Sequence, residues 1–277
     1  MKKVLLIGLM LLTHQLLFAQ TTIDTADIRI CYDVRTRIYK GGKRRKDEHW
    51  LDIGKNGISK YYSYWKRLEE ELMDSVYAAG GDYGDFNKIQ HEKGNPHSSF
   101  EFSIYKNYQL SDQLTGICTP YSDVKYLFNE EKGQSWELVG DSVYHILGHP
   151  CRKATAIYHG RMWIAFYATD IPVPEGPWKL CGLPGLIMYA QDNEKDYIFN
   201  CIAIKTHVDE PISIKKEKAI NVTPQKLEKI LYDYRANPLL LLKARVGGEV
   251  IVRDSKGREM KQQTYEPVLL DYYGKYK

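Results

Sequence analysis

The residues best suited to hold a metal ion are His145, His149 and Cys151, which are spaced as H-x3-H-x-C. In an unbroken strand these three odd-numbered positions would share one face, as a site for a soft metal requires. Gly148 and Pro150 interrupt that regularity. The spacing leaves two interpretations open, a metal site or ordinary histidines at the surface and at strand ends, and it favours the second.

Patterns typical of nucleophilic or cofactor chemistry are absent from the sequence. There is no G-x-S-x-G nucleophile turn, and neither of the glycine-rich patterns that cradle phosphates occurs. Cys181 could pair with a histidine, but spatial adjacency cannot be read from one sequence. Carboxylates are numerous, and no spacing marks two of them as an acid–base couple. We therefore expect no cofactor, and a non-catalytic protein rather than an enzyme.

The most distinctive segment is G-P-W-K-L-C-G-L-P-G-L-I, residues 176–187. The ring of Pro184 fixes its own φ angle, and the glycine after it can adopt positive φ. Together they predict a type II turn in which Gly185 has positive φ. The segment either packs against the sheet for structural reasons, which we favour, or forms a ligand or partner surface. The residues of that candidate surface are Arg161, Trp163, Trp178, Lys179, Leu183, Pro184 and Leu186.

These residues also carry a family resemblance, because Gly182 to Ile187 spell GLPGLI. The sequence resembles the GLPGLI family of secreted bacterial envelope proteins most strongly from Tyr144 to Ile204. The supporting motifs are Cys151-x-Lys153-Ala154-Thr155, Gly160-Arg161-x-Trp163, Tyr167-x-x-Asp170-Ile171-Pro172 and Gly176-Pro177-Trp178-Lys179. The resemblance implies secretion and a β-rich fold, and it supplies no reaction.

The elements that must position these residues are mostly short alternating strands. Arg152–Tyr158 and Arg161–Thr169 flank His159-Gly160, which predicts a hairpin in which Tyr158 pairs with Arg161. Both faces of that hairpin are largely apolar, so we expect it to be covered on both sides. A second hairpin is predicted from Leu186–Gln191 and Tyr197–Lys205.

Helical spacing of apolar residues predicts one helix over Ser63–Ala79. Thr223-Pro224 is an N-cap followed by proline at the first helical position, and it predicts a second helix ending near Arg235. The polar stretch Asp82–Pro96 is expected to be a loop. The predicted fold is mainly β (α+β), one domain over residues 20–277, with a single curved, mostly antiparallel sheet or half-barrel and two helices.

The N-terminus indicates export. A basic start at Lys2 and Lys3, an apolar run and a small residue at Ala19 are typical of a signal peptide, residues 1–19. We expect a periplasmic or otherwise exported protein with no transmembrane segment after cleavage. The formal net charge of +4 gives no reason to propose a nucleic-acid partner.

Five cysteines in an exported chain permit disulfides, and because five is odd at least one thiol is free or pairs with another chain. Cys151 begins the first predicted hairpin, and Cys181 lies in the loop that follows it. We therefore predict Cys151 and Cys181 as the disulfide pair.

The function expected from these observations is non-catalytic binding of an apolar ligand or of another envelope protein. Two alternatives stay open: a hydrolase whose active site is scattered in sequence, and a metal-binding protein. A cleft with converging titratable groups would favour the enzyme, and a dry apolar groove would favour the binder.

Overall fold

The computed structural model describes residues 21–94, 96–98, 100–109, 112–121, 124–216, 218–237, 258–259 and 265–271. The predicted signal peptide, residues 1–19, lies outside these ranges. Within them, no helix combines the length and the apolar character that crossing a membrane requires.

The described chain is dominated by strands, and 13 of them form one sheet. The strands are β1 (Thr21–Thr36), β2 (Arg45–Gly54), β3 (Ser59–Ser63), β4 (Phe102–Lys106), β5 (Gln113–Tyr121), β6 (Val124–Glu131), β7 (Glu137–Leu138), β8 (Tyr144–Ile146), β9 (His149–Tyr158), β10 (Arg161–Ala168), β11 (Ile187–Asp192), β12 (Tyr197–Ile214) and β13 (Ile220–Asn221).

The strand order is β13-β6-β5-β4-β3-β2-β1-β12-β11-β10-β9-β7, with β8 paired to β9. Neighbouring strands are antiparallel, apart from the short parallel pair of β13 and β6. Most neighbours also follow one another along the chain, so the sheet is built from hairpins, and the pairing of β1 with β12 joins its two halves. The prediction of a single, mostly antiparallel sheet in a mainly β protein is confirmed.

The sheet curves strongly, as contacts between strands far apart in the strand order show. Tyr158 at the end of β9 donates a hydrogen bond of 3.1 Å to Glu130 of β6. The concave interior is filled by residues 176–187. Trp178 and Leu180 of that segment are fully buried, and the β4 side chain Lys106 donates to two of its backbone carbonyls at 2.9 and 3.2 Å.

Three helices occur in the described ranges: α1 (Tyr64–Ala78), α2 (Tyr83–Glu92) and α3 (Pro224–Ala236). Helices α1 and α3 were predicted, and each begins at a hydroxyl N-cap, Ser63 or Thr223.

Helix α2 replaces part of the expected loop. Its start is fixed by a capping box between Asp82 and Asp85, and it buries Phe86 and Gln90, which are spaced four residues apart on one face. Phe86 is the one apolar side chain of that buried pair. The sequence of this stretch is therefore mostly polar, and for that reason it was expected to be a loop.

The β9–β10 hairpin has the predicted register, with Tyr158 opposite Arg161. Its cover differs from the prediction. The inner face, which includes Trp163 and Ala165, is buried, whereas Ile157 and Met162 on the outer face are 81% and 47% exposed. Among the described elements, α1 packs on the outer side of β2 and β3, and nothing covers the outer side of this hairpin.

The expected type II turn at residues 183–186 is not formed, because Gly185 does not have positive φ. Positive φ occurs instead at Trp178 (53°) and Gly182 (88°). Gly185 is required for a different reason. A Cβ atom there would lie 1.8 Å from the carbonyl oxygen of Ala168, so the backbone of β10 excludes any side chain.

Candidate functional site

The predicted metal cluster is not assembled. In the β8–β9 hairpin, Ile146 opposes His149 and His145 opposes Pro150. Opposed residues share a face and successive residues alternate, so His145 points away from the side that carries His149 and Cys151. His149 Nδ1 lies 2.9 Å from Asp170 Oδ2. Across the described residues, no three metal-binding side chains come together.

The predicted disulfide is also not formed. All five cysteines lie in the described ranges, and each is a buried free thiol. Burial raises the pKa of the Cys151 thiol to about 11, and burial raises the pKa of Cys181 as well. Higher thiol pKa values lower the thiolate fraction and with it the reactivity of both residues.

The seven residues of the candidate surface are mostly interior. The side chains of Trp163, Trp178, Lys179, Leu183 and Leu186 are buried, Arg161 is partly buried and Pro184 is exposed. The curved sheet wraps around the segment, so its apolar side chains form the core instead of a surface. For this segment the structure therefore agrees with the packing interpretation that we favoured.

One cluster of polar side chains lies beside that core. We define the Lys179 cluster as Glu130, Tyr158, His159, Lys179 and Asp271. Lys179 Nζ lies 2.7 Å from Glu130 Oε2 and 2.8 Å from Asp271 Oδ1. His159 Nε2 lies 2.5 Å from Glu130 Oε1. The cluster ties together β6, the β9–β10 turn, the 176–187 segment and the end of the described chain.

The charges of the Lys179 cluster stabilise one another. Burial alone would lower the pKa of Lys179, but Asp271 and Glu130 raise it above its ordinary value. Burial would raise the pKa of Glu130, but His159 and Lys179 together lower it to about 2. The cavity beside Lys179 has a volume of about 10 Å³, room for about one water molecule. The cluster therefore has the geometry of an interior ion network, without space for a substrate.

Arg161 is likewise engaged inside the protein. Its guanidinium lies 2.5 Å from Asp192 Oδ2 and donates two hydrogen bonds to the carbonyl oxygen of Leu269 at 2.6 and 3.1 Å. It also lies 4.9 Å from the centre of the Tyr197 ring. Arg161 thus anchors residues 265–271 to the β10 end of the sheet.

Two surfaces remain as candidates for binding. The first is the apolar outer face, a continuous row on the uncovered side of β8 to β11. Its rings are in contact, since the Tyr144 and Phe166 centroids are 4.7 Å apart and those of Phe166 and Tyr189 are 5.9 Å apart. The residues of the apolar outer face are Tyr144, Ile157, Met162, Ile164, Phe166 and Tyr189.

The second is the α1 crevice, a cavity of about 250 Å³ between helix α1, the outer side of β3 to β5 and the end of β12. Its floor carries Lys60, Tyr62, Ser103 and Tyr105, because these alternate with the core-facing residues of β3 and β4. The crevice is lined by many charged groups, and it is the cleft with converging titratable groups that an enzyme would need.

Most charges of the α1 crevice are already neutralised within the protein. Arg29 makes a bidentate pair with Asp52, at 2.6 and 3.0 Å, and a second with Glu210, at 2.9 Å for both bonds. Arg67 of α1 contacts the same Glu210 at 3.2 Å, and Tyr62 donates to Asp52 at 3.0 Å.

Lys60 differs from these groups. Its Nζ donates to the carbonyl oxygen of Ser213 at 3.3 Å, and it lies 4.8 Å and 5.5 Å from the ring centres of Tyr62 and Tyr105. Burial lowers its pKa to about 8, and the nearby carboxylates Glu70 and Asp52 offset only part of that effect. Sequence reasoning missed this site. Alternation over Ser59–Ser63 was the one available signal, and it does not reveal that α1 folds over the strand.

Comparisons with known proteins identify no family for this chain. No family model matches the chain, and no curated protein matches it, so the GLPGLI assignment stays a prediction. Two solved structures of PNGF-II are similar in part. The one in the P21 space group has a TM-score of 0.48 at 12% identity and covers 76% of this chain and 34% of that chain. The one in the C2 space group has a TM-score of 0.46 at 12% identity, with coverages of 76% and 33%. The chain thus spans about a third of those proteins.

Proposed function

We propose that this chain is a non-catalytic protein of the bacterial cell envelope that binds a partner protein through the apolar outer face. The observation that carries the proposal is the exposure of Ile157 and Met162, 81% and 47%, at directly paired positions of a hairpin whose other face is core. Exposed apolar patches of this kind mark interaction sites, because leaving them in water forgoes the hydrophobic free energy of burial.

The composition of the face suits a protein partner. Met and aromatic side chains are enriched at the centres of protein interfaces, and Tyr144, Phe166 and Met162 supply them here. The charged residue on this face is Lys153, which lies directly opposite Phe166. The partner that fits has an apolar centre and an acidic or polar group that can face Lys153.

The other functions expected from the sequence have weaker support. An apolar ligand would need an open concave interior, and Trp178 and its neighbours fill that space. A hydrolase centred on the Lys179 cluster would need room for a substrate beside Lys179. A metal site at residues 145–151 would need His145 on the opposite face of its hairpin.

The test is site-specific photo-crosslinking in cells. A photoreactive amino acid at position 157 should capture one protein, and the same residue at position 220 should not. Ile220 is a suitable control because it is also an exposed isoleucine, at 51%, but lies at the other end of the strand order on β13.

The captured protein is then purified and its affinity measured directly. We expect Ile157→Glu to weaken binding at least tenfold and Ile220→Glu to leave it unchanged. Equal capture at both positions, or equal affinity of Ile157→Glu and the unmodified chain, would refute the proposal. The envelope location rests on the predicted signal peptide, and N-terminal sequencing of the exported protein should find Gln20 first.

A further inference from the structure

One lysine of the α1 crevice, Lys60, is influenced by nearby carboxylates such as Glu70 but forms an ion pair with none that the structure describes. Among the described residues, Lys60 has no carboxylate at ion-pair distance. Lys60 is half-buried, whereas two fully buried lysines do have such a carboxylate: Lys106 lies 2.8 Å from Glu175 and Lys179 lies 2.7 Å from Glu130. Removing an ammonium group from water is costly unless an anion or several hydrogen bonds replace the water.

The Lys60 amine also has donors to spare. A protonated amine has three N–H donors, and one hydrogen bond, to the carbonyl oxygen of Ser213, uses one of them. The amine faces a cavity of about 250 Å³. A second lysine of the cavity wall, Lys125, has no ion pair within the described part of the chain either. The crevice therefore has room, beside the Lys60 amine, for a small molecule that brings one negative charge.

We propose that the α1 crevice binds a small carboxylic acid in its ionised form, with the carboxylate on Lys60 and the hydrocarbon part against Tyr62, Tyr105 and Ile117. These three side chains line the cavity beside the amine. They supply apolar and aromatic surface for the rest of the molecule. This site is separate from the apolar outer face and does not depend on the function proposed for it.

The surroundings favour a carboxylate over a phosphate. Phosphate is best held by arginine forks, and the forks of Arg29 and Arg67 are occupied by Asp52, Glu210 and Glu71. Further acidic side chains line the same cavity and would repel a dianion more than a monoanion. A compact point charge such as the Lys60 ammonium is sufficient for one carboxylate.

Binding should depend on pH through Lys60. The charged and titratable groups that face its amine are Asp52 on β2, Tyr62 on β3, Tyr105 on β4, Arg67 and Glu70 on α1, and Lys215 after β12. Burial raises the pKa of both tyrosines far above neutrality, so they stay uncharged. With a Lys60 pKa of about 8, hexanoate affinity should fall about tenfold between pH 7 and pH 9, because the amine loses its charge.

The experiment is calorimetric titration of the protein with sodium hexanoate, with hexylamine and inorganic phosphate as comparison probes. We expect hexanoate to bind and the other two to bind at least tenfold more weakly. Lys60→Met should weaken hexanoate binding at least tenfold and abolish its pH dependence between pH 7 and pH 9.

Lys216→Met is the matched control and should bind as the unmodified chain does. Lys216 also lies over a tyrosine ring, 4.4 Å from the centre of Tyr108, but it is outside the crevice. No hexanoate binding by the unmodified chain, full binding by Lys60→Met, or tighter binding of phosphate would each overturn the proposal.

A measurement on the unmodified sequence covers the case in which Lys60→Met fails to fold. Growth on ¹³C-labelled lysine leaves every amine intact, and NMR then follows the Lys60 Cε resonance during a pH titration. Hexanoate should raise the pKa of Lys60 above about 8, since the ligand stabilises the charged form. A Lys60 resonance that does not respond to hexanoate would overturn the proposal.

Discussion

Gly185 is the residue of the GLPGLI hexapeptide with the least room for a side chain. A Cβ atom at this position would lie 1.8 Å from the carbonyl oxygen of Ala168 and 3.2 Å from that of Ile171. We expect Gly185→Ala to destabilise the protein by about 3 kcal/mol or more, because the backbone must move apart to admit one methyl group. The measurement is the urea midpoint of unfolding.

Gly182 provides the control for that prediction. It has a φ of +88° and no atom within 4 Å of an added Cβ, so Gly182→Ala carries a dihedral cost of about 1–2 kcal/mol and no clash. A Gly185→Ala variant that loses no more stability than Gly182→Ala would contradict the close approach of the two backbones.

Glu130 should make the stability of the protein depend on acid pH. Burial by itself would raise the pKa of Glu130. The effects of His159 and Lys179 are larger and opposite, so the pKa falls from an ordinary value of 4.5 to about 2. Since the folded pKa is the lower one, the contribution of Glu130 is complete above about pH 4.5 and is lost as the pH falls toward 2.

The variant Glu130→Gln should therefore be less stable than the unmodified chain at pH 7, and the difference should shrink as the pH falls from 4.5 to 2. Urea unfolding at four pH values between 2 and 7 measures it. Glu71→Gln is the control, because Glu71 is exposed and pairs with Arg67 on the surface of α1. A difference that stays constant with pH would show that Glu130 acts through packing alone.

At the scale of elements, the two faces of the β9–β10 hairpin should respond differently to truncation. Trp163 on the inner face is fully buried and lies 5.5 Å from the Trp178 ring, so Trp163→Ala should cost about 3–5 kcal/mol. Ile157 on the outer face is 81% exposed, so Ile157→Ala should change stability by less than about 0.5 kcal/mol.

Thermal and urea unfolding of the two variants check this contrast. A large loss in Ile157→Ala would mean that another part of the chain covers the outer face, and it would also weaken the proposal of a partner protein there. The same hairpin explains why its cover was mispredicted. Alternation reveals that both faces are apolar, but not which of them the sheet encloses.

Helix α2 also shows a limit of prediction from hydrophobic pattern, in this case for a mostly polar segment. Its sequence is polar because nearly all of it faces solvent, and only Phe86 and Gln90 are buried. Its capping box at Asp82 and Asp85 was the available local signal. Helix α1 showed the reverse, since its apolar residues recur at helical spacing and predicted it directly.

At the scale of the whole molecule, all five cysteines are buried free thiols. Burial raises the pKa of each of the five thiols. We expect a thiol reagent at pH 8 to modify none of the five within minutes in the native protein and all five in denaturant.

Non-reducing peptide mapping of the exported protein provides the second readout for the thiols. It should recover Cys151 and Cys181 as separate thiol peptides. A disulfide-linked pair, or fast modification of the native protein, would contradict the buried thiols.

The sequence by itself determined the elements whose signals are local. Alternation placed the strands of the two predicted hairpins, hydroxyl caps and helical spacing placed α1 and α3, and His159-Gly160 fixed the hairpin register, because each depends on residues a few positions apart. Only the tertiary structure decided which face of each strand is interior. Curvature of the sheet is a collective property of all its strands, and it places Lys179 in the core and leaves Ile157 in solvent. The contacts of Lys179 with Glu130 and Asp271 join residues that are distant in sequence, so no local pattern records them.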